Sequence, residues 1–328
     1  MADAEVGDDA YGEDPTVRRL EALAAALLGK EAALYVPSGT MANQLALRLL
    51  GRAGTEVLCG ERAHVYRYEH AAAAGNARVQ LRPIPDADGT LAVDDIDSSV
   101  ASQEHHLPEI SALVLENTHM PACGRPWRLP ELDAVTGCAH GYGLRVHCDG
   151  ARIWNASIAV GEPPAALARG TDTVMFCLSK GLGAPVGSLL CGAADAIAAA
   201  RADRARLGGG MRQAGVIAAA GVVALEHMVD RLADDHARAR RLADVLAERF
   251  PGSVDPAAIC TNIVCASARA LPADFLDALA ARGVLAGTID VETVRFVTHK
   301  DVDDADLARA VVALDELARA GRPLPSET

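Results

Sequence analysis

Residues Thr173 to Ser188 read T-V-M-F-C-L-S-K-G-L-G-A-P-V-G-S, an apolar run that ends in a serine and a lysine and then breaks into glycines. The run Thr173 to Leu178 has the composition of a strand covered on both faces, with Lys180 at its end. A lysine amine partly removed from water deprotonates more readily and becomes a nucleophile toward carbonyl carbon. Gly181 and Gly183 leave room for a ligand beside it. The bland alternative is a lysine whose stem lies along the protein while its amine reaches solvent.

Outward from this stretch, Val146 to Asn155, V-H-C-D-G-A-R-I-W-N, places Asp149 at the end of a second apolar run. A carboxylate at that depth is costly without a partner. A pyridoxal phosphate site would provide one, because the pyridine nitrogen must stay protonated to draw electrons and needs a carboxylate against it. A buried ion pair with Arg152 and a metal ligand are the alternatives, and metal is disfavoured because His147 is the only other ligand type close by. A third stretch, V-P-S-G-T-M-A-N-Q from Val36 to Gln44, sets Ser38, Gly39 and Thr40 between a strand and a helix start. Free N–H groups there suit a phosphate, and Gly39 would let backbone approach it closely. The same residues also make an ordinary turn and helix cap.

The rest of the chain sets these stretches in an α/β frame. Further strands are expected at Ala32–Val36, Glu56–Cys59, Val79–Arg82, Ile110–Leu115, Leu144–Cys148 and Ser188–Cys191, alternating with helices such as Pro15–Leu28 and Met41–Leu50, the pattern of a mostly parallel sheet. From Ala193 long helices run to about Phe250, interrupted at Gly208 to Gly210. Strands at Asn262–Ser267 and Thr293–Thr298 and helices at Ala273–Ala281 and Asp304–Ala320 then predict a small α/β domain. The expected division is an N-terminal arm over 1–20, a large domain over 21–225 and a small C-terminal domain over 226–328.

Composition excludes several function classes. With 328 residues and a net charge of -13, the chain lacks the clustered basic residues that a nucleic-acid partner requires. No run of eighteen apolar residues is present, so no membrane span is expected, and the acidic start, Met1 to Asp9, lacks the form of a secretory leader. A cytoplasmic protein is the expectation. Eight cysteines occur without a Cys-x-x-Cys pair, which disfavours a zinc site and suits reduced structural thiols. Only three lysines exist, Lys30, Lys180 and Lys300, and only Lys180 combines a buried run with glycines.

Seven segments, V-G-D-D-A-Y-G-E-D-P (Val6 to Pro15), P-S-G-T-M-A-N, E-N-T-H (Glu116 to His119), D-G-A-R-I-W-N-A, F-C-L-S-K-G-L-G-A-P-V-G-S, G-G-G-M-R-Q-A-G (Gly208 to Gly215) and V-R-F-V-T-H-K-D (Val294 to Asp301), resemble the L-threonine aldolase family in composition and order. The resemblance spans nearly the whole chain. It implies the aspartate-aminotransferase fold (fold type I), with pyridoxal 5'-phosphate as cofactor and a homotetramer built from tight dimers. The implied reaction is retro-aldol cleavage of L-threonine or L-allo-threonine to glycine and acetaldehyde. Under it Lys180 resembles the Schiff-base lysine, Asp149 the pyridinium partner, and Ser38, Gly39 and Thr40 the phosphate cradle. His64 resembles the histidine stacked on the cofactor ring and His119 a second histidine near the substrate hydroxyl, either of them able to position the base. Arg152 and Arg295 resemble the arginines that hold the substrate carboxylate, Arg212 a residue near the phosphate, of this or the neighbouring subunit, and Tyr68 a residue of the side-chain pocket. Two departures stand out: the chain starts at the Val-Gly-Asp-Asp region, so that an upstream Ser-Asp-Thr segment of the pocket is expected to be lacking, and Met120 replaces an asparagine common after Asn-Thr-His. Beside aldol cleavage, β-elimination or racemisation on the same scaffold, and a truncated, cofactor-binding subunit of low activity, are the competing expectations.

Overall fold

The apolar runs become strands of a seven-stranded sheet in the computed structural model, which describes residues 1–320. In chain order these are β1 (Ala32–Val36), β2 (Glu56–Gly60), β3 (Gln80–Ile84), β4 (Ile110–Glu116), β5 (Arg145–Asp149), β6 (Thr173–Cys177) and β7 (Ser188–Gly192). Their spatial order is β1-β7-β6-β5-β4-β2-β3. Every residue of β2, β4, β6 and β7 is buried, which is why these strands show no polar alternation; β3, at the edge, exposes Gln80 and Pro83.

Strand direction positions the site. β2 to β6 are mutually parallel, β7 runs against β6, and β1 runs against β7. β1 therefore shares the direction of β2 to β6, and six strands open their carboxyl ends on one edge of the sheet. In open α/β sheets that edge is where ligands bind.

A second, three-stranded sheet has the order β8-β10-β9, with β8 (Ile263–Ser267), β9 (Gly287–Asp290) and β10 (Thr293–Val297) all antiparallel. Its strands pack with helices Leu232–Arg249 and Asp304–Ala320 around a separate apolar core running from Ala239 to Leu317. Helix Gly215–His227 contributes Ala218, Val222 and Leu225 to the large core, so the division expected near residue 225 falls inside an element that belongs to the large unit. Likewise Val17 and Leu20 of helix Pro15–Leu28 are fully buried in the large core, and the segment outside it ends near Asp14 rather than at residue 20. Among the described residues no helix is long and apolar enough to cross a membrane. All eight cysteines are free thiols.

Candidate active site

Each expected site residue except Arg212 and Arg295 follows the carboxyl end of a strand in the large sheet. Ser38, Gly39 and Thr40 follow β1, His64 and Tyr68 follow β2, His119 follows β4, Asp149 ends β5 with Arg152 just beyond, and Lys180 follows β6. Sequence-distant segments meet here because six strands end at one edge.

Asp149 is buried beneath this edge, 3% exposed, and its carboxylate accepts from Asn43 Nδ2 at 2.8 Å and from the Ala151 N–H at 3.1 Å. Burial pushes its carboxyl up, but the positive charges of His64 and Lys180 and the Asn43 amide outweigh that cost and hold it below the ordinary carboxylate range. The asparagine that serves it belongs to helix Gly39–Leu50, the element that Ser38 caps through Oγ accepting the Met41 N–H at 3.2 Å. One helix thus offers free first-turn amides at Gly39 and Thr40 and, a turn later, grips the carboxylate.

His64 is half-buried. Its backbone N–H donates to Glu116 Oε2 at 2.7 Å, its Nδ1 lies 3.1 Å from Glu69 Oε1, and its ring lies 5.6 Å from that of Tyr68. Burial works against the imidazolium, yet Glu69, Asp149 and Glu116 together raise His64 above the ordinary imidazole value. Glu116, buried at the end of β4, is itself raised by desolvation and by Asp149, against the opposing pull of His119.

Lys180 is not the last residue of a strand. β6 ends at Cys177, and the chain then turns, with Gly183 N–H donating to Lys180 O at 2.9 Å and Ala184 N–H to Leu178 O at 3.1 Å. Gly183 adopts φ +75°, a left-handed conformation that glycine takes without strain, and the stem of Lys300 lies against it. The half-buried Lys180 lines a cavity of about 350 Å³ with Arg152, Asn262, Val297, His299 and Lys300, joining the large unit to the small one. Burial and the nearby Arg295 lower Arg152 from its ordinary value. Neither guanidinium forms a hydrogen bond or ion pair among the described residues, in a chain with 44 acidic side chains. Two adjacent cations without a carboxylate are an anion site in waiting, since Arg presents a fixed fork matched to a carboxylate.

Three residues stand differently from expectation. His119 is 2% exposed, with Nδ1 accepting the Ala122 N–H at 3.2 Å and Nε2 2.8 Å from Asp86 Oδ2. That arrangement makes Nε2 the protonated nitrogen, so the ring as placed has no lone pair for a hydroxyl proton. Its orientation comes from Asp86 and Ala122; Met120 contributes only its N–H, to Glu116 Oε1 at 2.9 Å. Arg212 lies on the surface, its Nε donating to Asp8 Oδ2 at 2.8 Å and its guanidinium over Tyr11, so within this chain it reaches the N-terminal segment instead of a phosphate. Gly39 has a packing reason as well, because a Cβ there would sit 2.9 Å from Cys177 Sγ and from Met175 Cε.

The sequence reading missed Glu69, Asn43, Gln44 and Asp86. The signal was weak: Asn43 lies in a quoted motif, Glu69 lies five residues past His64, and nothing local announces that either is buried.

These residues fit pyridoxal phosphate. A buried, charge-stabilised carboxylate suits a ring N–H, a lysine lies within reach of its charge, helix amides suit a phosphate, and an unpaired arginine pair suits a carboxylate. Comparison with known proteins agrees. Residues 1–269 match the family described as beta-eliminating lyase. The chain is 39% identical over 326 residues to a probable low-specificity L-threonine aldolase 2 of Arabidopsis thaliana, covering 97% of this chain and 92% of that one. It is 40% identical over 310 residues to the low specificity L-threonine aldolase of Escherichia coli K12, covering 94% and 91%. The crystal structure of a putative L-allo-threonine aldolase from Listeria monocytogenes superimposes with a TM-score of 0.81 at 22% identity, over 96% of this chain and 90% of that chain, which supports the fold. The chain belongs to the beta-eliminating lyase family, among the low-specificity L-threonine aldolases.

Proposed function

We propose that this chain is an aldehyde-lyase that cleaves β-hydroxy-α-amino acids, L-threonine and L-allo-threonine among them, to glycine and an aldehyde, using pyridoxal 5'-phosphate. The observation that carries the substrate class is the unpaired Arg152 guanidinium at the Lys180 cavity with a second unpaired guanidinium, Arg295, near it, because an α-carboxylate is what such a pair receives. When bound, the cofactor supplies an electron sink for the pair released as the Cα–Cβ bond breaks. Lys180 and Asp149 would hold it, with Gly39 and Thr40 amides and Ser38 at its phosphate.

The remaining work belongs to side chains. Arg152 and Arg295 would bind the carboxylate and so fix the orientation of the substrate at Cα. His64 offers Nε2, which has no partner among the described residues, to the β-hydroxyl proton, directly or through water. His119 has both nitrogens engaged, by Asp86 and by the Ala122 N–H, and is left a structural part. Val297 and His299 of the small unit line the Lys180 cavity on the side opposite the large unit's Arg152 and Lys180. We assign the working form to a homo-oligomer; Val216 and Val223, exposed on one face of helix Gly215–His227, support self-association, and sedimentation of the protein as a monomer would exclude it.

The test is product identity. Purified protein with pyridoxal phosphate and L-threonine is expected to release acetaldehyde, read by coupled NADH oxidation, whereas pyruvate from L-serine without any acetaldehyde would assign β-elimination instead.

A further inference from the structure

The network beneath the site contains a buried carboxylate for which the mechanism above has no task. Glu69 has a side chain that is 0% exposed. It accepts from Asn43 Nδ2 and Gln44 Nε2, each at 2.8 Å, and faces His64 Nδ1 at 3.1 Å. Such a carboxylate, deep under a ligand cleft, is too costly to be an idle surface charge.

The hydrogen positions in this network follow one from another. Asn43 gives both hydrogens of its amide nitrogen away, one to Glu69 Oε1 and one to Asp149 Oδ2, at 2.8 Å each. Its carbonyl oxygen therefore accepts from His147 Nε2 at 3.0 Å, and His147 Nδ1 accepts from the Thr173 hydroxyl at 2.8 Å. Burial holds His147 neutral, pushed down to about 4, in agreement with one hydrogen on that ring. An ionised carboxylate only accepts, so the hydrogen between Glu69 and His64 sits on His64 Nδ1.

We propose that Glu69 is a positioning residue, fixing His64 in its Nδ1–H form and tying it through the shared Asn43 amide to Asp149, so that the nitrogen left free is Nε2. The proposal rests on the pocket being the cofactor site described above. It gives the histidine beside the ring and the carboxylate at its edge a common anchor, Asn43, so neither can shift without the other. The ionisable groups facing His64 are Glu69 and Tyr68 of its own segment, Glu116 from β4 and Asp149 from β5. Three are carboxyl groups, so removing one reduces, without abolishing, the pull on the His64 proton.

The Glu69→Gln variant keeps the shape. The new amide must face Gln44 Nε2, and Gln44 can turn to meet it with its own Oε1, which is buried and unpartnered. The experiment follows the ring nitrogens of His64 by ¹H–¹⁵N NMR in wild type, E69Q and, for assignment, H64N, in both cofactor-free and loaded protein, with cofactor affinity from its absorbance. Wild-type His64 is expected as the Nδ1–H tautomer above its titration. In E69Q the amide Oε1 still accepts from Nδ1–H, so the tautomer is expected to be kept while the His64 pKa falls with the loss of the carboxylate charge, and cofactor Kd is expected to rise roughly tenfold. An Nε2–H tautomer in the wild type overturns the proposal, a result that needs no variant to fold. So does an E69Q protein of lowered Tm in which His64 titrates as before. Because the cofactor-free readout does not depend on turnover, loss of the aldolase assignment and loss of this one are separable.

Discussion

At the scale of single residues, charge without a partner is the most informative signal. In a chain this acidic, Arg152 and Arg295 could each have found a carboxylate, and neither does. Arg295→Ala is expected to lower kcat/KM for L-threonine by about 10- to 100-fold, the loss of charge-assisted hydrogen bonds worth roughly 1.5–3 kcal/mol; steady-state kinetics that leave kcat/KM unchanged would remove it from the site. For His64→Asn, with the residue in the role of proton acceptor, kcat should fall by about 10²- to 10⁴-fold, whereas His119→Asn should chiefly lower Tm. Lys180 and Asp149 were legible in sequence because each ends an apolar run in which a charge is conspicuous. Glu69 was not, since its burial arises from Asn43, Gln44 and His64 closing over it from other segments, and His119 looked available because the Asp86 that occupies it lies 33 residues away.

Elements were legible where their end signals are strong. Helix Pro15–Leu28 is bounded as read, with Asp14 accepting from the Thr16 and Val17 N–H groups at 3.0 Å each and Gly29 closing it at φ +62°. Asp14 also accepts the Gly215 N–H at 2.8 Å, which joins two of the quoted motifs and gives both a structural purpose. Asp14→Ala should therefore cost more than a simple cap, about 2–3 kcal/mol, seen as a lowered Tm. Gly39→Ala should cost about 1–3 kcal/mol through the contacts with Cys177 and Met175, and an unchanged Tm would show that the helix start can move. β9 escaped the reading because Gly287–Asp290 is mostly exposed and carries no apolar run. The strand order was equally illegible: no local pattern reports that β7 inserts between β1 and β6.

The whole molecule adds a pH dependence. Two buried imidazoles, His147 in the large unit and His236 in the small one, are pushed down by burial to about 4 from an ordinary 6.5. Both serve as neutral partners, His236 Nε2 accepting from Asn155 Nδ2 at 3.1 Å across the two units. Since the unfolded chain binds these protons more readily, their contribution to stability is complete above pH 6.5 and is lost as pH falls from there through 4. Tm should decline over that interval, and the decline should shrink in His236→Gln. We propose that one amine among three, that of Lys180 at the carboxyl edge of the sheet, holds the cofactor that Asp149 faces. Borohydride reduction of the protein with pyridoxal phosphate, followed by peptide mass mapping, tests it directly. A pyridoxyl group on the peptide containing Lys180 is the predicted result, and one on Lys30 or Lys300, or none at all, would contradict the account.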